Sequence, residues 1–204
     1  MKTIIPEFVN KPLKNLPYVI LDLETTGFKP TEAGITEIAI ISFHNGKEET
    51  FETLINPEMP IPPVITKLTG ITDEMVADKP KIAEVLPIVE QLFDNAIFVS
   101  HNVPFDWSFL DFFFRLHMKR PLSMPSLCTL RLARKMLGLK SNKLEKVAQH
   151  FGVSLHNAHR AMNDTVAVRD ILLSFIDNLE KRGIKNGADL YEHNLIFPEC
   201  PPAR

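Results

Sequence analysis

Only two cysteines, Cys128 and Cys200, occur among 204 residues, too few for the disulfide framework of a small extracellular domain. No apolar run approaches the roughly 20 residues that a membrane-crossing helix requires. The start, Met1-Lys2-Thr3-Ile4-Ile5-Pro6-Glu7, lacks the sustained apolar stretch of a signal peptide. The chain is therefore expected in the cytoplasm, with no membrane contact. An excess of one charge is missing too: 23 basic against 25 acidic side chains give a formal charge of -2. That balance excludes the strongly basic footprint of a protein that grips duplex nucleic acid mainly through its phosphates. Internal repeats, low-complexity tracts and a long linker are absent as well. What remains is an ordinary globular composition, 45% hydrophobic and 24% charged, in a chain long enough to close one sizeable core.

The first seventeen residues, with Pro6, Pro12 and Pro17, show no sustained period and read as an irregular lead-in. Residues 18–182 read as the domain and 183–204 as a polar, Pro-rich tail. A strand starts at Tyr18, and the runs Ile35 to Phe43 and Glu48 to Ile55 flank His44-Asn45-Gly46, a hairpin signal. A helical pattern runs from Pro62 to Gly70 and resumes after Pro80 through Ile82, Val85, Leu86, Val89 and Leu92. Ala96 to Ser100 is a short buried strand. The next helix opens around Pro104, with Phe105, Phe109, Phe112 and Leu116 as its apolar stripe. Further helices are expected from Thr129 to Leu137, from Lys143 to Phe151 behind an Asn142/Glu145 capping box and ahead of a Gly152 stop, and from about His159 to Lys181. Strands first and helices later, with one strand between helices, predict an α/β layered domain.

The first strand carries an anomaly. Side chains alternate along a strand, so Tyr18, Ile20, Asp22 and Glu24 share one face. Two like charges beside an apolar core are costly unless a cation or a set of donors compensates; alternatively, the strand has ended and both acids face water. A hard divalent cation would need further oxygen ligands from other elements. Asp106 and Asp164 are candidates. Asp106 could instead complement a helix dipole, and Asp164 could pair with Arg160 four residues earlier.

Together these residues resemble the DEDDh family of 3′-to-5′ exonucleases, the group that contains the proofreading epsilon subunit of bacterial DNA polymerase III. The first family motif is matched by Asp22-Leu23-Glu24-Thr25-Thr26-Gly27, the second by His101-Asn102-Val103-Pro104-Phe105-Asp106, and the third by His159 to Asp164. Five fixed positions in the first motif would arise by chance at a frequency on the order of 10⁻⁴ at average composition, so that motif is specific. The third draws its weight from its position. The resemblance spans about Tyr18 to Ile176 and includes segments similar to the family at Leu68 to Asp73 and Cys128 to Arg134. It implies an RNase H-like fold, a mixed β-sheet flanked by α-helices, and two divalent ions, Mg²⁺ or Mn²⁺.

By resemblance, Asp22 bridges the two ions, Glu24 and Asp164 complete one site, and Asp106 supports the other. His159 is the implied general base, since an imidazole ordinarily titrates near pH 6.5. Positions five apart on a helix differ by about 140°, so His159 is expected in a mobile segment just before the helix or at its start. His156 lacks the family spacing. Substrate contacts are expected from Thr25, Thr26 and Gly27, from Leu68, Thr69, Gly70 and Ile71 wedged at the terminal base, and from His101, Asn102 and Phe105. Equally, Gly27 could stop a strand, Gly70 could end a helix and Asn102 could cap one. Arg131, Arg134, Lys135, Lys140, Lys143 and Lys146 form the one basic concentration, either a solvated helix face or a track for one strand.

The leading expectation is release of nucleoside monophosphates from 3′ ends of single-stranded or frayed DNA, with a polymerase as a candidate partner. Where the resemblance departs from the epsilon subunit is the end: only a short tail is expected beyond the last helix, without a long extension of the kind that tethers a polymerase. A 3′-5′ exoribonuclease with the same site is the first alternative, because nothing here separates a 2′-OH reader from its absence. A catalytically silent nucleic-acid-binding scaffold is the second.

Overall fold

The computed structural model describes residues 8–44, 47–155, 159–198 and 200. Five strands form one mixed sheet in the order β3-β2-β1-β4-β5. They are β1 (Tyr18–Thr25), β2 (Ile35–His44), β3 (Lys47–Leu54), β4 (Ile97–Ser100) and β5 (Ser126–Cys128). The pairs β1/β2 and β2/β3 are antiparallel, whereas β1/β4 and β4/β5 are parallel. His44 pairs with Lys47, as the expected hairpin requires; its Asn45-Gly46 turn lies outside the described residues.

The helices are α1 (Pro63–Thr69), α2 (Asp73–Val76), α3 (Ile82–Leu92), α4 (Val103–Phe113), α5 (Thr129–Met136), α6 (Leu144–Phe151), α7 (Ala161–Lys181) and α8 (Gly187–Glu192). Because β1 is central, both of its faces are covered, which explains its near-continuous apolar run. Val19, Leu21 and Leu23 pack with Val85, Leu86 and Val89 of α3 and Phe109 and Leu110 of α4. Tyr18 and Ile20 pack on the opposite face with Val168, Ile171, Leu172 and Phe175 of α7. The face that carries Asp22 and Glu24 is thus the α7 face.

Several local expectations are corrected. There is no Asn142/Glu145 capping box: α6 begins at Leu144 with Lys143 as N-cap and no side-chain cap bond, while the Asn142 carbonyl accepts from His101 Nε2 at 2.8 Å. The stripe Phe105–Phe109–Phe112–Leu116 breaks because α4 passes into a π-helical turn over Phe114–Met118. Wider winding shifts the register; Phe114 is buried and Leu116 is 47% exposed. Strand β5 and helix α8 have no counterpart in the periodicity of the sequence. Gly152, by contrast, stops α6 with φ of 70°.

The lead-in and tail join the main core. Phe8, Leu13 and Leu16 pack with Ile184, Leu190, Tyr191, Leu195 and Ile196 in the cluster beneath α7. Gly187 is where they meet most closely: its N–H donates to the Lys11 carbonyl at 3.2 Å, and a Cβ there would fall 2.1 Å from the Phe8 carbonyl oxygen. Backbone cannot yield as a side chain can, so Gly187→Ala is expected to cost about 1–3 kcal/mol. A thermal melt unchanged by this substitution would show that the terminal segments do not dock as described.

Candidate active site

One strand and two helices deliver the acids. Asp22 and Glu24 come from the C-terminal half of β1, Asp106 from the first turn of α4 and Asp164 from the first turn of α7. Helix α4 follows β4 directly, and β4 runs parallel to β1. The carboxyl ends of adjacent parallel strands therefore place Asp106 beside Asp22. Pro104 suits the opening turn of α4. The Asn102 side chain makes no capping bond there.

Glu24, Asp106 and Asp164 are buried, and Asp22 is half-buried. Glu24, His159 and Asp164 offer ligand atoms within 4.8 Å of one another. Asp22 and Asp106 complete the neighbourhood electrostatically. Burial raises the Asp22 carboxyl well above the ordinary range, and the charges of Asp106, Asp164 and Glu24 raise it further. Burial and then Asp164, Glu37 and Asp106 push Glu24 to about 8. Asp106 is pushed by burial to about 7, although Ser100 Oγ donates to its Oδ2 at 2.7 Å and opposes the shift. Asp164 is raised by burial, against a bond from the His159 backbone N–H to its Oδ2 at 3.1 Å.

His159 stands two residues before α7, outside the regular helix, with φ of 68°. The helix-angle argument required this displacement, and the left-handed turn lets its ring meet Asp164 on one side of the helix end. His156 lies outside the described residues. Arg160 does not pair with Asp164. Its Nη2 donates to Glu37 Oε1 at 2.8 Å and its Nε bonds both Glu37 oxygens. Asp164 Oδ1 is left buried with no hydrogen-bond partner among the described residues.

A cleft of about 690 Å³ opens onto this cluster, lined by His159 and Asp164 at one end and by Asn102, Arg134, Lys140 and Lys143 along its wall. Arg131, Lys135 and Lys146 of the same basic group do not line it. His101 also lines the cleft, but both ring nitrogens are engaged: Nε2 donates to the Asn142 carbonyl and Nδ1 lies 3.0 Å from Thr129 Oγ1. Burial lowers its pKa, so the neutral ring braces β4, α5 and the loop before α6. Phe105 is partly buried against Phe109 at a ring distance of 5.2 Å.

In the loop after β1, Thr25 Oγ1 donates to the Gly27 carbonyl at 2.7 Å. Thr26 accepts from the Gly34 N–H at 2.9 Å and its own hydroxyl reaches Met59 Sδ at 3.2 Å. In the stretch after β3, Leu68 is 51% exposed, whereas Ile71 is fully buried with Ile61 and Val76. Thr69 Oγ1 donates to the Ile65 carbonyl and accepts from the Ile71 N–H. Gly70 ends α1 with φ of 75°. Leu68 is thus the one side chain of the four that reaches solvent broadly.

The RNase T family, described as Exonuclease, matches residues 19–172. The chain belongs to this exonuclease family. Its relatives include the DNA polymerase III subunit epsilon of Aquifex aeolicus, 36% identical over 164 residues that cover 79% of this chain and 81% of that one. The PolC-type DNA polymerase III of Caldanaerobacter subterraneus subsp. tengcongensis is 38% identical over 177 residues, 85% of this chain but only 12% of that protein. The chain therefore spans about an eighth of the PolC-type relatives. Among solved structures, exonuclease X in complex with 5′-overhanging duplex DNA is similar at a TM-score of 0.63 and 27% identity, covering 81% of this chain and 93% of that one. Exonuclease I of E. coli in complex with a dT13 oligonucleotide reaches a TM-score of 0.70 over 87% of this chain and 43% of that one. Its 18% identity speaks to the fold alone.

Exonucleases of this family hydrolyse phosphodiester bonds from 3′ ends with divalent metal, and the mixed sheet with flanking helices is their RNase H-like fold. The acids of this chain fit such an ion. They are hard oxygen donors from separate elements, they repel one another when ionised, and Asp164 Oδ1 is buried with no donor among the described residues. No helix among the described residues is long and apolar enough to cross a membrane.

Proposed function

We propose that the chain removes nucleoside monophosphates from the 3′ ends of single-stranded or frayed DNA, in proofreading, repair or end trimming. The observation that carries this reading is the meeting of Glu24, His159 and Asp164 within 4.8 Å, beside the mutually repelling Asp22 and Asp106. Asp22, Glu24, Asp106 and Asp164 would hold two divalent ions, Mg²⁺ or Mn²⁺, as hard oxygen donors. Bound there, the ions supply Lewis-acid polarisation of the scissile phosphate and neutralise the charge that develops on it. His159 takes the proton of the attacking water on its ring nitrogen. The left-handed turn presents that ring beyond the helix end, facing the cleft rather than the core.

The substrate's terminal nucleotide lies in the cleft, with Leu68 wedged against the last base and the Thr25–Gly27 backbone beside its sugar and phosphate. Asn102, whose side chain caps nothing, and His101 line its path, and Phe105, just behind them on α4, would border it. Arg134, Lys140 and Lys143 follow the phosphates of one strand, consistent with a modest salt slope. DNA as substrate is supported by the Aquifex relative named as a DNA polymerase subunit and by exonuclease X, whose structure holds a DNA duplex. The same relative supports work beside a polymerase. The test is a time course on matched 5′-labelled DNA and RNA oligomers, with Mg²⁺, with Mn²⁺ and with EDTA. Shortening of DNA from the 3′ end with either metal, and none in EDTA, is expected. Cleavage of RNA alone would overturn the DNA assignment, and a protein inert with both metals would leave the scaffold reading.

A further inference from the structure

Glu37 is a buried acid that the catalytic reading does not use. It lies on β2 directly opposite Glu24 of β1 in the antiparallel register, so both side chains project toward α7. It is 1% exposed. A carboxylate so deeply placed, within the electrostatic reach of Asp22, Glu24 and Asp164, needs strong compensation. It receives this from one residue and the next: Arg160 Nη2 and Nε, and the Ala161 N–H at 2.9 Å. Arg160 is the N-cap of α7 and makes no side-chain cap bond of its own. Glu37 thus supplies from another strand the acceptor that this helix end lacks.

The alternative acceptors for Arg160 are close. Asp164 is four residues on along the same helix, a spacing at which Arg and Asp pair readily. The positive charge of Arg160 is already felt at Glu24. A guanidinium is well shaped to bridge carboxylates, and one seated on Asp164 and Glu24 would occupy the place of a divalent ion. We propose that Glu37 is a positioning residue that keeps the Arg160 guanidinium out of the carboxylate cluster, and by the same grip fixes the turn that carries His159. That turn is left-handed at a residue with a Cβ, a conformation the backbone does not favour unaided. It is tied on one side by the His159 N–H to Asp164 and on the other by Glu37 to Arg160 and Ala161.

The inference rests on the metal-dependent reading above, and its test separates the two. Glu37→Gln keeps an acceptor for the Ala161 N–H but turns an amide NH₂ toward the guanidinium, which is released. Mn²⁺ binding by titration calorimetry is expected to weaken by about tenfold or more, given a unit charge a few ångströms from the ion. Adding Arg160→Gln should bring the affinity back to within about threefold of wild type, a coupling of the kind that neighbouring residues show. On a DNA oligomer, kcat of the single variant falls while KM changes little, because neither residue touches the substrate. Equal Mn²⁺ affinity in wild type and Glu37→Gln, or no recovery in the double variant, overturns the proposal. A wild-type protein that binds no Mn²⁺ sinks the metal-dependent reading itself. If Glu37→Gln does not fold, Arg160→Gln alone decides: binding at least as tight as wild type supports the guarding role, and weaker binding overturns it.

Discussion

Asp22→Asn is expected to lower kcat/KM for 3′-end release by about 10³-fold or more, while raising the melting temperature of the metal-free protein. The two effects have one cause. Asp22 is an acid on which burial and the charges of Asp106, Asp164 and Glu24 all bear, so its ionised form is disfavoured in the empty cluster and useful to a cation. Asparagine keeps the size of the side chain and removes the repulsion, which favours the fold. It also removes one of the carboxylate donors that the proposed ions need. An acid kept for structure behaves oppositely, because deleting it leaves its partners unpaired and the protein less stable. Among the described residues Asp22 has no such cationic partner. His159→Ala should also slow turnover, by about 10²–10⁴-fold, with little effect on metal binding through the carboxylates. An Asp22→Asn protein that melts lower and still digests DNA would contradict the site.

How much of this was legible depends on how local each signal is. The strand through Asp22 and Glu24 announces itself because β1 is covered on both faces, so that an acid within YVILDLE breaks a pattern that apolar residues otherwise fill. His159 could be placed ahead of its helix because an angular argument alone forbids it from sharing a face with Asp164. Glu37 escaped for the opposite reason. In ITEIAI an acid reads as the solvent side of an alternating strand, and its partner Arg160 is 123 residues away. The nearer partner that spacing offered to Arg160, Asp164, is the one the fold withholds. Strand β5 has only three residues, too short for any period to show. The docking of the tail depends on Phe8, Leu13 and Leu16 at the far end of the chain. The π-helical turn after α4 shifts Leu116 outward although the spacing of apolar residues continues unbroken, and periodicity cannot register such a change of winding.

The second large effect expected is on stability, read as a function of pH and metal. Glu24, pushed to about 8, and Asp106, pushed to about 7, hold protons in the fold that the unfolded chain releases near pH 4. Folding therefore takes up protons between those limits. The stabilisation from these groups is complete below the unfolded values and is lost as pH rises through 7 to 8. In EDTA, the melting temperature should fall between pH 6 and pH 8.5, on the order of 10 °C for a loss of a few kcal/mol in a chain of this size. Saturating Mg²⁺ or Mn²⁺ acts in the other sense: ions bind the ionised cluster, and free ion at 100 times Kd adds about 2.7 kcal/mol. Because binding must displace protons at low pH, the metal-induced rise in melting temperature should be larger at pH 8.5 than at pH 6. Asp106→Asn should flatten the metal-free pH slope and shrink the metal response together, since one carboxyl supplies both. A metal-free protein equally stable across this range, or a melting temperature indifferent to EDTA, would mean that the acids are not poised against one another. Binding to bases and phosphates would then have to account for three buried carboxyl groups beside a half-buried fourth, and those ligands offer no cation to accept them.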